Sequence, residues 1–272
     1  MPLKLMYITN NIEVAKIAQD NGVDRIFVDL EYIGKSERQK NLDTVKSSHS
    51  IEDISKIKDV LTKSELLVRI NPINQNSESE IDKVVQNGAD VIMVPMFKTT
   101  EEVSTFINLV NRKARTCLLL ETIEAEKLID DLLLIDGIDE IFIGLNDLHI
   151  SHNMKFMFEL LADGTVERLS RKIKGRGIPF GFGGISRLGT GILQADNIVA
   201  EHYRLGSSMV ILSRSFCNYE KINDINEIKK IFNASIVKLR EFENELTLKN
   251  PSYFFENHKI VIDKVKEIMA NI

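Results

Sequence analysis

Cys117-Leu118-Leu119-Leu120-Glu121-Thr122 and Glu140-Ile141-Phe142-Ile143-Gly144-Leu145-Asn146-Asp147 are two short apolar runs, each closing on a carboxylate. Runs of this length without polar alternation read as strands buried on both faces, as in a parallel sheet covered by helices. Working outward finds the same unit at Leu3–Thr9, Arg25–Glu31, Glu65–Asn71, Asp90–Pro95, Cys117–Thr122, Glu140–Leu145, Pro179–Ile185 and Met209–Arg214. Amphipathic stretches fill the gaps. Asn10-x-x-Glu13 and Thr99-x-x-Glu102 have capping-box spacing, and Gly22, Gly88 and Gly137 stand where a helix ends at positive φ. This α/β alternation predicts a (β/α)8 TIM barrel over residues 1–220, in preference to a doubly wound open sheet.

Past the last run the pattern changes. Asn223–Leu246 is a long charged stretch with an apolar stripe (Ile228, Phe232, Ile236, Leu239), Pro251 interrupts, and Ile260–Ile272 reads as another helix. Residues 221–272 therefore form a C-terminal helical extension, packing on the barrel or on a neighbouring subunit of a homo-oligomer.

Composition excludes several classes. The 272 residues are 43% hydrophobic and 28% charged, which suits one domain with a sizeable core. A net charge of −5 without a basic stripe argues against a nucleic-acid surface. The apolar runs are strand-sized, so no membrane span is expected, and no signal peptide precedes the first strand. Cys117 and Cys217 lie far apart, and the five histidines show no His-Glu-x-x-His spacing. Together these point to a cytoplasmic protein without a zinc site.

In a parallel barrel, chemistry gathers where strands end. Glu121 and Asp147 on adjacent strands are candidate ligands for Mg²⁺ or Mn²⁺, alternatively helix-capping acids. Arg69 is a candidate clamp for a substrate carboxylate or enolate, alternatively an ion pair with Asp29, Glu31 or Glu121. Glu31, Asn71, Lys35 and Arg38 are substrate-binding candidates at the same mouth. Gly181-Phe182-Gly183-Gly184-Ile185-Ser186-Arg187, with Ser213-Arg214, offers backbone and cationic contacts for the substrate; Gly184, Ser186, Arg187 and Arg214 are the residues singled out, while Gly181 reads as relief of crowding. His149 and His152 follow Asp147 in an expected loop, and His149 is an acid–base candidate. His202 reads as structural.

The order Val28-Asp29-Leu30-Glu31, Val68-Arg69-Ile70-Asn71-Pro72, Gly88–Pro95, Leu120-Glu121-Thr122 and Ile143-Gly144-Leu145-Asn146-Asp147 resembles the HpcH/HpaI aldolase and citrate lyase β-subunit superfamily, over about Arg25 to Arg214. The resemblance implies a divalent-metal-dependent barrel, with Glu121 and Asp147 as metal ligands and Arg69 on the enolate or 2-oxo carboxylate. Lys35 and Arg38 resemble the Lys and Arg that follow the second strand of citrate-lyase-like members. Tyr32 stands where members carry His or Asp, and Met96 where a Lys is common, so Asp29, Tyr32, His149 and a metal-bound water are the candidate bases. The expected function is a carbon–carbon lyase acting on a 4-hydroxy-2-oxo acid or related sugar acid, giving pyruvate and an aldehyde. The alternatives are a citrate-lyase or malyl-thioester type of acyl lyase or hydrolase, and a catalytically silent 2-oxo-acid-binding barrel.

Overall fold

The computed structural model describes residues 2–34 and 49–271. Eight parallel strands close a barrel in sequence order: β1 (Lys4–Ile8), β2 (Arg25–Asp29), β3 (Glu65–Arg69), β4 (Val91–Val94), β5 (Arg115–Leu120), β6 (Glu140–Ile143), β7 (Phe180–Ile185) and β8 (Met209–Leu212). Seven expected runs contain their strands, and the fifth strand begins two residues before its run, at Arg115. The strands stop one or two residues short of most expected ends, so most of the polar residues that close the runs begin the loops.

Alternation divides the apolar side chains into two cores. Met6, Phe27, Leu67, Val91, Met93, Cys117, Leu119, Phe142 and Met209 fill the barrel. Their neighbours along each strand, such as Leu66, Val68, Leu118 and Leu120, pack outward beneath the helices. At the N-terminal mouth five strands begin with a charge. Arg25 is fully buried and makes paired bonds of 2.5 Å to both Glu140 oxygens, with a third of 2.8 Å to Glu65. Lys4 and Arg115 complete the cluster. Burial opposes ionisation of Glu65, yet the bond from Arg25 prevails and its pKa falls to about 2. The barrel is thus sealed below, and ligands have the other mouth.

Local signals explain the joints. Thr99 and Glu102 form the expected capping box before helix Thr100–Val110. The first helix, Ile12–Asp20, is capped by Asn11 rather than Asn10. Gly22, Gly88 and Gly137 have φ between 92° and 95°, as a helix-ending turn requires. Gly181 permits the closest strand approach: a Cβ there would stand 2.4 Å from the Met209 carbonyl oxygen.

The C-terminal extension is two helices, Ile225–Thr247 and Pro251–Ala270. Pro251 does not interrupt a helix but begins one, at the first-turn position where a missing N–H costs no bond. The first helix packs on Ile12–Asp20. The second packs on Ala195–Leu205, where Asn257 and His258 both bond to the buried Glu201.

Candidate active site

The C-terminal mouth opens on a cavity of about 350 Å³ with Phe27, Met93, Leu119 and Phe142 in its lining. Arg69, at the end of β3, is held by Asp29 at the end of β2. Its Nε and Nη2 each donate a 2.8 Å bond to one Asp29 oxygen, and Nη2 lies 3.4 Å from Glu31. Phe27 stacks below, 5.6 Å from the guanidinium carbon to the ring centre. Burial opposes the charge on Arg69, but Asp29, Glu31 and Glu121 outweigh it and keep the guanidinium firmly protonated. The ion-pair reading and the clamp reading are compatible, because a guanidinium fixed by Asp29 still lines the cavity.

Glu121 follows β5 and is buried, with Oε1 accepting a 3.2 Å bond from the Met96 backbone amide. Met96 adopts φ of 57°, a left-handed conformation that non-glycine residues rarely take, so the loop is strained where it meets this carboxylate. On the other side, a Cβ at Gly144 would stand 2.8 Å from Glu121 Oε2. Only glycine lets the carboxylate lie against the end of β6. Three residues on, Asp147 lies in the first turn of helix Leu145–Ser151 and lines the same cavity.

Among the described residues no group of three or more His, Cys, Asp or Glu is poised for a metal. Two carboxylates are nonetheless enough for Mg²⁺ or Mn²⁺, which complete an octahedron with water and substrate oxygens. The hard donors of Glu121 and Asp147 fit such an ion and do not make a zinc site.

The remaining candidates separate. Gly184 and Arg214 line the cavity with Arg69, Asp29, Glu121 and Asp147. Tyr32 is 72% exposed and stands outside the lining. His149 is not in a loop but in helix Leu145–Ser151, buried, its Nδ1–H donating to the Leu145 carbonyl at 3.1 Å. Glu31 stands behind Arg69. Asn71 is buried in loop support, donating to Glu80 and accepting from the Tyr32 and Ile33 amides. Ser186 donates to the Thr190 carbonyl, and Arg187 lines a separate surface groove with Lys230 and Lys238. Lys35 and Arg38 lie outside the described residues. His202 is fully buried, stacked 3.8 Å from the Phe182 ring centre.

Several cavity residues escaped the sequence reading, Asn10 and His49 among them. Asn10 follows β1, a mouth at which no functional residue was sought. His49 also lines the cavity, and its Nδ1 accepts a 2.9 Å bond from the Asp29 backbone amide. The signal for it was Ser50-x-x-Asp53, a helix start directly after His49 and therefore at the mouth of the barrel.

A family model described as HpcH/HpaI aldolase/citrate lyase matches residues 4–157. Among solved structures, the chain is similar to an HpcH/HpaI aldolase from Desulfitobacterium hafniense DCB-2, at 15% identity over 85% of this chain and 93% of that one, with a TM-score of 0.61. An HpcH/HpaI aldolase/citrate lyase family protein from Burkholderia cenocepacia J2315 is 13% identical over 84% and 95%, with a TM-score of 0.63. The citrate synthase SbnG is 16% identical over 89% and 95%, with a TM-score of 0.61. At these identities the structural likeness is one of fold. A search of curated proteins gave no match.

Proposed function

The chain belongs to the HpcH/HpaI aldolase/citrate lyase family, and on that premise we propose that it is a divalent-metal-dependent aldolase cleaving a 4-hydroxy-2-oxo acid to pyruvate and an aldehyde. The observation that carries this reading is the convergence of Arg69, locked by Asp29, with Glu121 and Asp147 on one cavity. Glu121 and Asp147 would hold the ion, which when bound supplies Lewis-acid stabilisation of charge on the 2-oxo group.

The chain's own residues do the rest. Arg69 donates to the C2 oxygen of the substrate, and Asp29 holds the guanidinium so that it need not reorganise as charge develops there. Loss of the 4-hydroxyl proton to water at the mouth lets its oxygen form the aldehyde carbonyl. The C3–C4 bond breaks, and its electron pair moves into the C2–C3 bond to give the enolate. Protonation at C3 by water releases pyruvate. Asp29 is committed to Arg69, and neither Tyr32 nor His149 lines the cavity, so water is the proton carrier in this reading.

The test is pyruvate release from a panel of 4-hydroxy-2-oxo acids, run with and without chelator, beside malyl and citryl thioesters. The reading expects Mg²⁺- or Mn²⁺-dependent pyruvate release that Glu121→Gln and Asp147→Asn each abolish while the variants stay folded by circular dichroism. Turnover of thioesters alone, or unchanged turnover in chelator, would overturn it.

A further inference from the structure

We propose that His152 and Glu126 are positioning residues that fix the spacing of the Glu121 and Asp147 carboxylates, and so make the site selective for a small octahedral ion over Ca²⁺; this rests on the metal-dependent reading. The two carboxylates leave the barrel on different footings. Glu121 follows β5 directly, whereas Asp147 sits in the first turn of helix Leu145–Ser151, so its place depends on how that helix is set. The helix has seven residues and no side-chain cap at its N-terminus. A helix so short does not hold together alone, and its surroundings fix it.

Bonds at both ends do so here. At the strand ends, the Gly144 amide donates a 2.9 Å bond to the Leu120 carbonyl. At the far end His152 caps the helix, and its Nε2 donates a 2.6 Å bond to Glu126 Oε2. Glu126 is buried in helix Ile123–Lys127, which Thr122 caps immediately after Glu121. Its other oxygen accepts from Arg168, so the carboxylate is held from two sides. Backbone bonds carry the tie inward: the Glu126 amide donates to the Thr122 carbonyl at 3.0 Å, and the His152 amide to the Leu148 carbonyl at 3.1 Å. Thr122 and Leu148 are the sequence neighbours of Glu121 and Asp147. The result is a closed ring of bonds running beside both carboxylates.

Such a ring has a chemical consequence. Mg²⁺, and Mn²⁺ like it, takes an octahedron of oxygens at about 2.0–2.1 Å, whereas Ca²⁺ accepts six to eight oxygens at about 2.3–2.6 Å in a looser shell. Two carboxylates held at one spacing favour the first, and a pair free to spread favours the second.

Metal titration of the intact protein without substrate tests this, with Mn²⁺ followed by its electron paramagnetic resonance signal and Ca²⁺ as competitor. His152→Leu cuts the tie and should weaken Mn²⁺ binding about tenfold, as for loss of a residue that supports a metal ligand, while Ca²⁺ binding changes by less than about threefold. Glu126→Gln, which offers one acceptor oxygen to two donors, should shift the preference the same way. His152→Gln, which keeps a donor near the place of Nε2, should restore wild-type binding of both ions. Lys172→Leu, which removes a 2.6 Å contact with Asp130 outside this ring, should alter neither. Equal losses for the two ions in His152→Leu, or Mn²⁺ affinity unchanged there while Glu121→Gln abolishes it, would overturn the proposal alone. Absence of Mn²⁺ binding by the wild-type protein, or binding that survives Glu121→Gln and Asp147→Asn, would overturn the metal-dependent reading and the proposal with it.

Discussion

Arg69 is the residue on which most of the site's electrostatics turns, because three carboxylates offset the cost of burying it. A lysine there keeps the charge but not the two-pronged contact with Asp29. Arg69→Lys should therefore lower kcat/KM by about 10²- to 10³-fold, as for loss of an oriented donor, with the far-ultraviolet spectrum unchanged. Activity near wild type would deny it a role at the substrate. Met96 makes an opposite prediction. Its positive φ is strained for a methionine, so Met96→Gly should cost the fold little or raise the urea midpoint slightly, while the amide bond to Glu121 survives. A clear loss of stability would mean that the side chain, not the backbone, is what matters. At this scale the sequence was informative where a charge ended an apolar run: Arg69, Glu121 and Asp147 were singled out that way, and all three line the one cavity. For His49 it offered only the helix start at Ser50, because that residue lies in a polar stretch with neither period, and its cavity position depends on a bond to a backbone amide.

Strands and helices carry a different set of consequences. The expected runs located every strand because the chain is buried on both sides of the barrel wall, leaving apolar content as the only signal. What that reading passed over is the other end of the same strands: Arg25, Glu65, Arg115 and Glu140 each open a strand and meet at the lower mouth. Arg25, Glu65 and Glu140 stood at the starts of expected runs, but nothing within one strand shows that they meet until closure brings them together. Removing one member leaves a fully buried guanidinium short of a partner, so Glu140→Gln should destabilise by about 3–5 kcal/mol in urea titration. A loss under 1 kcal/mol would show that the cluster is dispensable. The helix Ala195–Leu205 carries His202, whose burial lowers its pKa from 6.5 to about 3. Between those values the unfolded chain takes up a proton that the folded one refuses, so stability is full above pH 6.5 and falls as the pH drops towards 3. The slope from this one group approaches about 1.4 kcal/mol per pH unit. His202→Leu should remove that component, read as a flatter dependence of the urea midpoint between pH 6.5 and 4. An unchanged slope would assign the acid limb to other groups.

For the whole molecule, the barrel supplies two mouths of opposite use. The lower is closed by ion pairs and the upper is open, lined by residues from the ends of the strands. The C-terminal pair of helices buttresses this body through Glu201, which is fully buried and bonds to Asn257 and His258 of helix Pro251–Ala270. Deleting residues 251–272 should strip those partners and uncover the face of helix Ala195–Leu205 on which they pack, lowering the melting temperature by several degrees while leaving a cooperative transition. An unaltered melting curve would show that the helix contributes nothing to the barrel. The apolar stripe of Ile225–Thr247 made that helix legible, whereas the start of the second was missed because Pro251 was read as a stop. The central claim is that Glu121 and Asp147 share one ion facing Arg69, and the most direct measurement is a crystal structure with Mg²⁺ and pyruvate. The account predicts an ion with oxygens of both carboxylates about 2.0–2.1 Å away and pyruvate oxygens completing its shell within reach of Arg69. An ion bound elsewhere, or pyruvate absent from this cavity at saturating concentration, would contradict it.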